Sequence, residues 1–300
     1  MALIMAIFIV AIVATVAAQL GLGQQVWLRQ AQNVGDRGQA EQVMRGAVRW
    51  AVLILNDDQK KNPNVTDLSG DWAKDLPPLP AEGGVVVGKI RDAQARFNLN
   101  NLVRNGQQSQ ADKQVFNRLL VSLGLDVALT EAVIDWIDAD GNGVAEDLYY
   151  MNLVGERLQP YRAANQPFES VEELRLVRGF DREILDRLRP HVVALPMPTD
   201  ININTAAPEL LAALFAQMAL AQAKALTDAR DKGAPFKDKG ELAQRAGQAP
   251  APNAPYDVKS SNFLVGVQAR FGRVYRQSEA LISRGGSGKL PQMDWISHRL

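Results

Sequence analysis

Residues 1–28, MALIMAIFIVAIVATVAAQLGLGQQVWL, contain no charged side chain, and the first charge is Arg29. The run to Gly23 supplies about twenty mostly apolar residues, roughly 30 Å as a helix, which matches the hydrocarbon core of a bilayer. A signal peptide places a basic segment ahead of its apolar run, and none precedes this one. A buried core helix is the bland alternative. Length and freedom from charge favour a membrane-spanning helix over 1–28.

The helical pattern continues beyond the apolar run. Over 24–56, Val26, Val34, Val43, Ala47, Trp50, Ile54 and Leu55 recur at mostly helical intervals. This is an amphipathic continuation, in which Gly35 and Gly38 are expected to soften the rod. A rod that is apolar all round at its start and one-sided afterwards can sit in a membrane or in the core of a filament. It can still carry a soluble domain at its far end.

Composition narrows the function classes. The chain has 300 residues, with 33 Lys+Arg against 33 Asp+Glu, so bulk charge gives no reason to expect nucleic-acid binding. With 0 Cys there is no disulfide framework, thiolate zinc site or cysteine nucleophile. The 2 His, His191 and His298, leave little material for a histidine-rich metal site or a Ser-His-Asp triad.

Pro and Gly at 76–84 (LPPLPAEGG) break the helix. Val85, Val87, Lys89 and Arg91 then alternate against Val86, Gly88, Ile90 and Asp92, a strand pattern, with a turn expected near Asp92 and a second strand from Gln94 to Leu99. From Ser109 to Leu188 the pattern is helical, and strands return in SNFLVGVQARFG, RVYRQSEALISR and LPQMDWISHRL. A helical unit inserted into a sheet explains this order better than two tandem domains.

One part of the helical region is strongly acidic. Between Arg118 and Arg157 there is no Lys or Arg, while Asp126, Glu131, Asp135, Asp138, Asp140, Glu146, Asp147 and Glu156 accumulate. Its centre, DWIDADGNGVAEDLYY, places Asp138, Asp140 and Asn142 at alternate positions before Gly143, the first half of an EF-hand loop. Val144 would offer a backbone carbonyl, and Glu146 and Asp147 would close the site. Tyr149 stands where an EF-hand has its bidentate Glu, so the loop is not an EF-hand. Clustered carboxylates repel, and all-oxygen ligation in a loop favours structural Ca²⁺ over Mg²⁺ or transition metals. A solvated acidic turn is the alternative.

Two helical modules follow. Ser170 with Glu173 forms a capping box for a helix to Val177, with a turn at Arg178-Gly179 and a second helix from Asp181. In ININTAAPELLAALFAQMALAQAKALTDAR, Thr205 is expected to cap the helix that Pro208 opens. This stretch resembles the opening of helix-hairpin-helix modules, some of which grip DNA. Its hairpin position, LFAQMALAQ, has no glycine to admit a phosphate, so a packing role is preferred.

The apolar start resembles the mature N-terminus of type IV pilins and type II secretion pseudopilins. With ARFNLNNL, DWIDAD…AEDLYY, PFESVEELRLVRG and ININTA in this order, the whole chain resembles the minor pseudopilin K family of the type II secretion system. The resemblance implies an α+β fold, in which a long N-terminal helix packs on an antiparallel sheet and a large all-α domain is inserted into that sheet. It divides the chain into a transmembrane part (1–28), a pilin-like body (29–105), a helical insert with the acidic loop (106–198), a second helix-hairpin-helix-like part of the insert (199–250) and the C-terminal strands of the body (251–300). It also implies a single inner-membrane span, a periplasmic head, and a pseudopilus-tip complex with the minor pseudopilins I and J, with H and the major pseudopilin as further neighbours. Calcium in the helical domain is implied too, with Asp138, Asp140, Glu146 and Asp147 on the acidic motif. Prepilin peptidase acts on family precursors before N-methylation, which makes Met1 the expected mature first residue.

Most pilins carry a glutamate at the fifth mature position, thought to pair with a neighbour's terminal amine inside the filament. Met5 stands there in this chain. A subunit with no neighbour above it can dispense with that acid, so Met5 is expected to restrict the chain to the tip. The alternative is one more lipid-facing apolar residue. Partner contact is expected along Val43, Ala47, Trp50 and Ile54 by helix-on-helix packing, with burial of Trp50 on the chain's own sheet as the alternative. A membrane-tethered DNA-uptake protein and a Ca²⁺-dependent hydrolase are the competing classes. The first lacks a basic surplus and the second a visible nucleophile–base pair.

Overall fold

The computed structural model describes residues 2–75, 78–139, 147–151, 160–285 and 290–299. Its first element, α1 (Ala2–Lys61), is one continuous helix about 90 Å long. Gly35 and Gly38 do not interrupt it. They lie on an open side where an added Cβ would meet nothing, and the intact backbone hydrogen bonds carry the helix through. Lys60 and Lys61 in the last turn complement the helix dipole, and Pro63 prevents further extension.

Ala40, Met44, Val48, Ala51 and Leu55 repeat at spacings of three and four, which puts them on one face of α1, and all five are buried. They pack on a five-stranded antiparallel sheet: β1 (Leu79–Ala81), β2 (Gly84–Asp92), β3 (Asn262–Phe271), β4 (Val274–Ser283) and β5 (Gln292–Arg299). Strand order in space follows the chain. The alternation read in β2 holds: Val86 and Ile90 face α1, beside Phe263, Val265 and Val267 of β3. Trp72 closes this core, edge-on to Phe263 with ring centroids 5.2 Å apart.

β2 and β3 are neighbours, with Asp92 opposite Phe263 and Gly84 opposite Phe271. Residues 93–261 therefore occupy the position of a hairpin turn. They fold into a head containing α2 (Gln110–Ser122), α3 (Leu129–Ile137), α4 (Asp147–Met151), α5 (Arg182–Leu188), α6 (Pro208–Ala213), α7 (Leu220–Asp231) and α8 (Lys239–Ala246). One hydrophobic core runs from Phe97 to Val258. The boundaries expected at 105/106, 198/199 and 250/251 all fall inside that core, because Phe97, Leu102, Val192, Ile201 and Val258 share it. A smaller cluster on the opposite face of the sheet, Ala93, Val193 and Leu195 with Leu264 and Leu281, docks the head on the body.

Several local expectations are corrected. Gln94 to Leu99 is not a strand. Asp92 Oδ1 accepts from Gln94 N at 2.8 Å and caps a tight helical turn, Ala93–Ala95, so that only Phe97–Asn98 is extended, parallel to Val192–Val193. The Ser170–Glu173 capping box is present, but on a 3₁₀ turn, Val171–Leu176. Asp181 caps α5, in line with a second helix from that residue. Thr205 does not cap α6: Ala207 precedes Pro208, and the Thr205 hydroxyl donates to Asp92 Oδ2 at 2.6 Å.

Candidate assembly interface

The side chains of α1 before Ala40 are almost all exposed, Leu3, Ile4, Ile7 and Phe8 among them. This part is long and apolar enough to cross a membrane. Met5 lies within it, 71% exposed, while Met1 lies outside the described residues. An apolar helix surface of this length needs a nonaqueous surrounding, lipid or other helices.

Farther along α1, the structure brings the four expected contact residues onto one stripe. Val43, Ala47 and Ile54 are half-buried at the margin of the body core, and Trp50 is 42% exposed. Ala47, Trp50 and Ile54 line a narrow groove with Trp72, Leu79 and Val86, between α1 and the β1–β2 edge. Leu53, on the neighbouring side, is exposed too. Trp50 is thus not consumed by packing on its own sheet. The stripe can receive the apolar ridge of a second helix.

The junction between rod, sheet and head is a buried polar network. Asp92 is 5% exposed. Its Oδ2 accepts from Asn202 Nδ2 at 2.9 Å, from Thr205 Oγ1 at 2.6 Å and from Ser260 Oγ at 2.6 Å. Burial raises the Asp92 carboxyl above its ordinary range, against the opposing pull of these hydrogen bonds. Thr66 links this set to a second: its carbonyl accepts from Asn202 Nδ2 at 2.9 Å, and its hydroxyl accepts from Arg284 Nη1 at 3.2 Å. Arg284 Nη2 lies 2.5 Å from Asp58 Oδ2, and the guanidinium stacks over Phe263 at 4.4 Å.

Asparagines in two of the quoted motifs act as backbone staples within the head. Asn100 exchanges hydrogen bonds with both backbone groups of Phe168, at 2.9 and 2.8 Å. Asn204 does the same with Phe236, at 2.8 and 2.7 Å. Sequence reasoning missed these roles. The available signal was a density of Asn in otherwise apolar segments, which a buried amide with backbone partners explains.

Of the expected metal ligands, Asp138 ends α3 and Asp147 opens α4. Asp140, Asn142, Val144 and Glu146 lie outside the described residues. An aromatic clamp gathers the flanks of the acidic loop. Trp136 meets Tyr150 edge-on at 5.2 Å, and Tyr150 stacks on Tyr161 at 5.1 Å. Tyr150 Oη accepts from Arg178 N at 3.1 Å, and burial pushes its phenol up to about 12. The clamp holds the end of α3 next to α4. Among the described residues no group of three or more His, Asp or Glu side chains could hold a metal. In the helix-hairpin-helix-like stretch, the connection between α6 and α7 buries Leu214 and Phe215 in the head core, so it serves packing.

Two family models, both described as "Type II secretion system (T2SS), protein K", match residues 95–197 and 201–261. The chain belongs to the type II secretion system protein K family. Type II secretion system protein K of Aeromonas hydrophila is 34% identical over 320 residues, 97% of this chain and 94% of that protein. The protein K of Pseudomonas aeruginosa is 32% identical over 304 residues, covering 97% and 90%. That of Klebsiella pneumoniae is 35% identical over 246 residues, covering 76% and 74%. A chain in the crystal structure of the GspK-GspI-GspJ complex from the enterotoxigenic Escherichia coli type 2 secretion system shares the fold. It matches with a TM-score of 0.75 and 24% identity, over 90% of this chain and 99% of that one. Membership of the protein K family makes this chain a minor pseudopilin of the type II secretion system. The long helix, antiparallel sheet and helical insert are the α+β fold that the resemblance implied.

Proposed function

We propose that this protein K family member forms the tip of the type II secretion pseudopilus and primes its assembly for protein export across the outer membrane. Residues 1–28 anchor it in the inner membrane, and the body and head lie in the periplasm. The observation that carries this reading is the position of the insert. The chain leaves the sheet for the head at Asp92, beside Thr66 and the Asp58–Arg284 pair, at the end of α1 farthest from the apolar run. Pseudopilins stack by their helices, and a head on the outer end obstructs a subunit stacked beyond it.

The partners of this reading are minor pseudopilins I and J, engaged along Val43, Ala47, Trp50 and Ile54, with H and the major pseudopilin below. The solved GspK-GspI-GspJ complex, which contains a chain of the same fold, supports the choice of I and J. Met5 supplies no acid for the amine of a subunit above, as a terminal position allows. Met1 is the residue that prepilin peptidase exposes on the precursor and that is then methylated. Asp138, Asp140, Asn142, Glu146, Asp147 and the Val144 carbonyl hold structural Ca²⁺, which neutralises the loop between α3 and α4. The role is mechanical, without a covalent step.

The test is co-expression of the full chain with I and J, followed by purification from detergent-solubilised membranes. Recovery of a ternary complex supports the proposal. Recovery of I–J without this chain contradicts it.

A further inference from the structure

The end of the body nearest the anchor is basic. We infer that it is a docking face for the anionic lipid headgroups of the leaflet from which α1 emerges. This inference rests on the reading of residues 1–28 as a membrane span.

Two contacts fix the level of this end along α1. Gln39 Nε2 donates to Glu82 O at 2.6 Å in the β1–β2 turn, and the Asp36 carboxylate lies against Gly272 in the β3–β4 turn. That turn is a two-residue loop, Gly272-Arg273, in which Gly272 has φ of 52°. Side chains at the loop therefore hang beside residue 36 of the rod.

The membrane surface is close to that level. Twenty residues of α1 cover the hydrocarbon core, so Trp27, 71% exposed, and Arg29 fall in the headgroup layer, where aromatic and basic residues are favoured. From Trp27 to Asp36 the axial rise is about 14 Å. An extended arginine side chain on the hairpin shortens this gap to within about one Debye length of the headgroups.

Arg273 lies in the hairpin loop, Arg270 and Arg276 lie two and three residues from it in the flanking strands, Arg37 is level with it on α1, and Arg29 is nearer the membrane. Among the described residues these five make no ion pair. The acidic groups at the same end are Asp36, Glu41 and Glu82, which leaves a basic surplus in a chain whose formal net charge is +0. Arg270 is exposed and sits directly opposite Tyr275, itself 54% exposed, so a guanidinium and an amphipathic ring share the outer face of the tip. The long guanidinium side chains can extend from this level toward the headgroup phosphates, where each basic residue is attracted to anionic lipid. Docked this way, the body is held upright over the membrane before it is drawn into a filament.

The chain has 0 Cys, so a single label can report the contact. Gln268→Cys, on the exposed face of β3, carries a fluorophore in the full chain. The chain is reconstituted in nanodiscs whose headgroups bear a spin-label quencher. One set of discs is phosphatidylcholine alone, and the other includes phosphatidylglycerol. Stronger quenching is expected in the anionic discs, lost at high salt. Each of R270Q and R273Q should weaken the lipid-docked state about fivefold, equivalent to ~1 kcal/mol per basic residue. Equal quenching in both discs, with the chain inserted in both, overturns the inference and leaves the anchor standing. A chain that enters neither disc overturns both.

Discussion

Arg284, just past β4, and Asp58, in the last turn of α1, form an ion pair of 2.5 Å with side chains 4% and 5% exposed. The pair ties the top of the rod to the end of β4, beside Phe263 of the body core and at the level where the head begins. A buried charge that loses its partner has no water to replace it. Arg284→Ala or Asp58→Ala alone should destabilise the full chain by about 3–5 kcal/mol. Replacing both by apolar residues of similar volume, Asp58→Leu with Arg284→Met, should recover much of that loss. Urea unfolding in detergent, arranged as a double-mutant cycle, measures the coupling, and additive losses would contradict the buried pairing.

Asp92 gives a pH dependence of defined sign. Its folded-state carboxyl is raised by burial from an unfolded value of 3.8. Between the two values the folded chain holds a proton that the unfolded chain has released. The contribution of Asp92 to stability is thus fully present below the unfolded value and declines as pH rises through the folded one. The stability of wild type relative to Asp92→Asn should fall with increasing pH across this window. Chemical denaturation at a series of pH values checks it, and a difference that grows with pH contradicts the assignment.

Trp50 and Leu55 lie five residues apart on α1 with opposite roles. Leu55 is fully buried in the body core, and Leu55→Ala should cost about 2–5 kcal/mol. Trp50→Ala should change stability by no more than about 1 kcal/mol, because much of the ring is already in water. The same variant should lose co-purification with I and J. An unfolded Trp50→Ala chain, or one that binds both partners normally, would remove Trp50 from the interface.

Calcium removal should act on the head. A chelator is expected to lower the melting temperature of the full chain, and Asp138→Ala should abolish that response. A melting temperature unchanged by the chelator removes the structural-metal proposal.

Much of this architecture is legible in the sequence because its signals are local. The alternation of Val86 and Ile90 and the Ser170 box each depend on residues within a turn or two of one another, whereas the stripe read along α1 shares only Leu55 with the face of Ala40, Met44, Val48, Ala51 and Leu55 that the sheet buries. The junction is not local. The sequence places Asp92 near a turn, but its partners at 202, 205 and 260 come from distant segments, so nothing nearby reveals that it ends the strand and starts the head. Thr205 looks like a cap because Pro208 follows it, yet the buried carboxylate is the stronger attractor for its hydroxyl. The two parts expected within the insert, 106–198 and 199–250, contribute to one core that runs from Phe97 to Val258. The stripe at Val43, Ala47, Trp50 and Ile54 is readable from helical spacing alone. Its exposure depends on where the sheet ends, which helical spacing does not encode.

The most direct test of a terminal position is gold-labelled antibody against the head, applied to pseudopili assembled with the full chain. The account predicts a single cluster of gold at one end of each fibre. Gold distributed along the shaft would contradict it, because the head would then be compatible with subunits stacked on both sides.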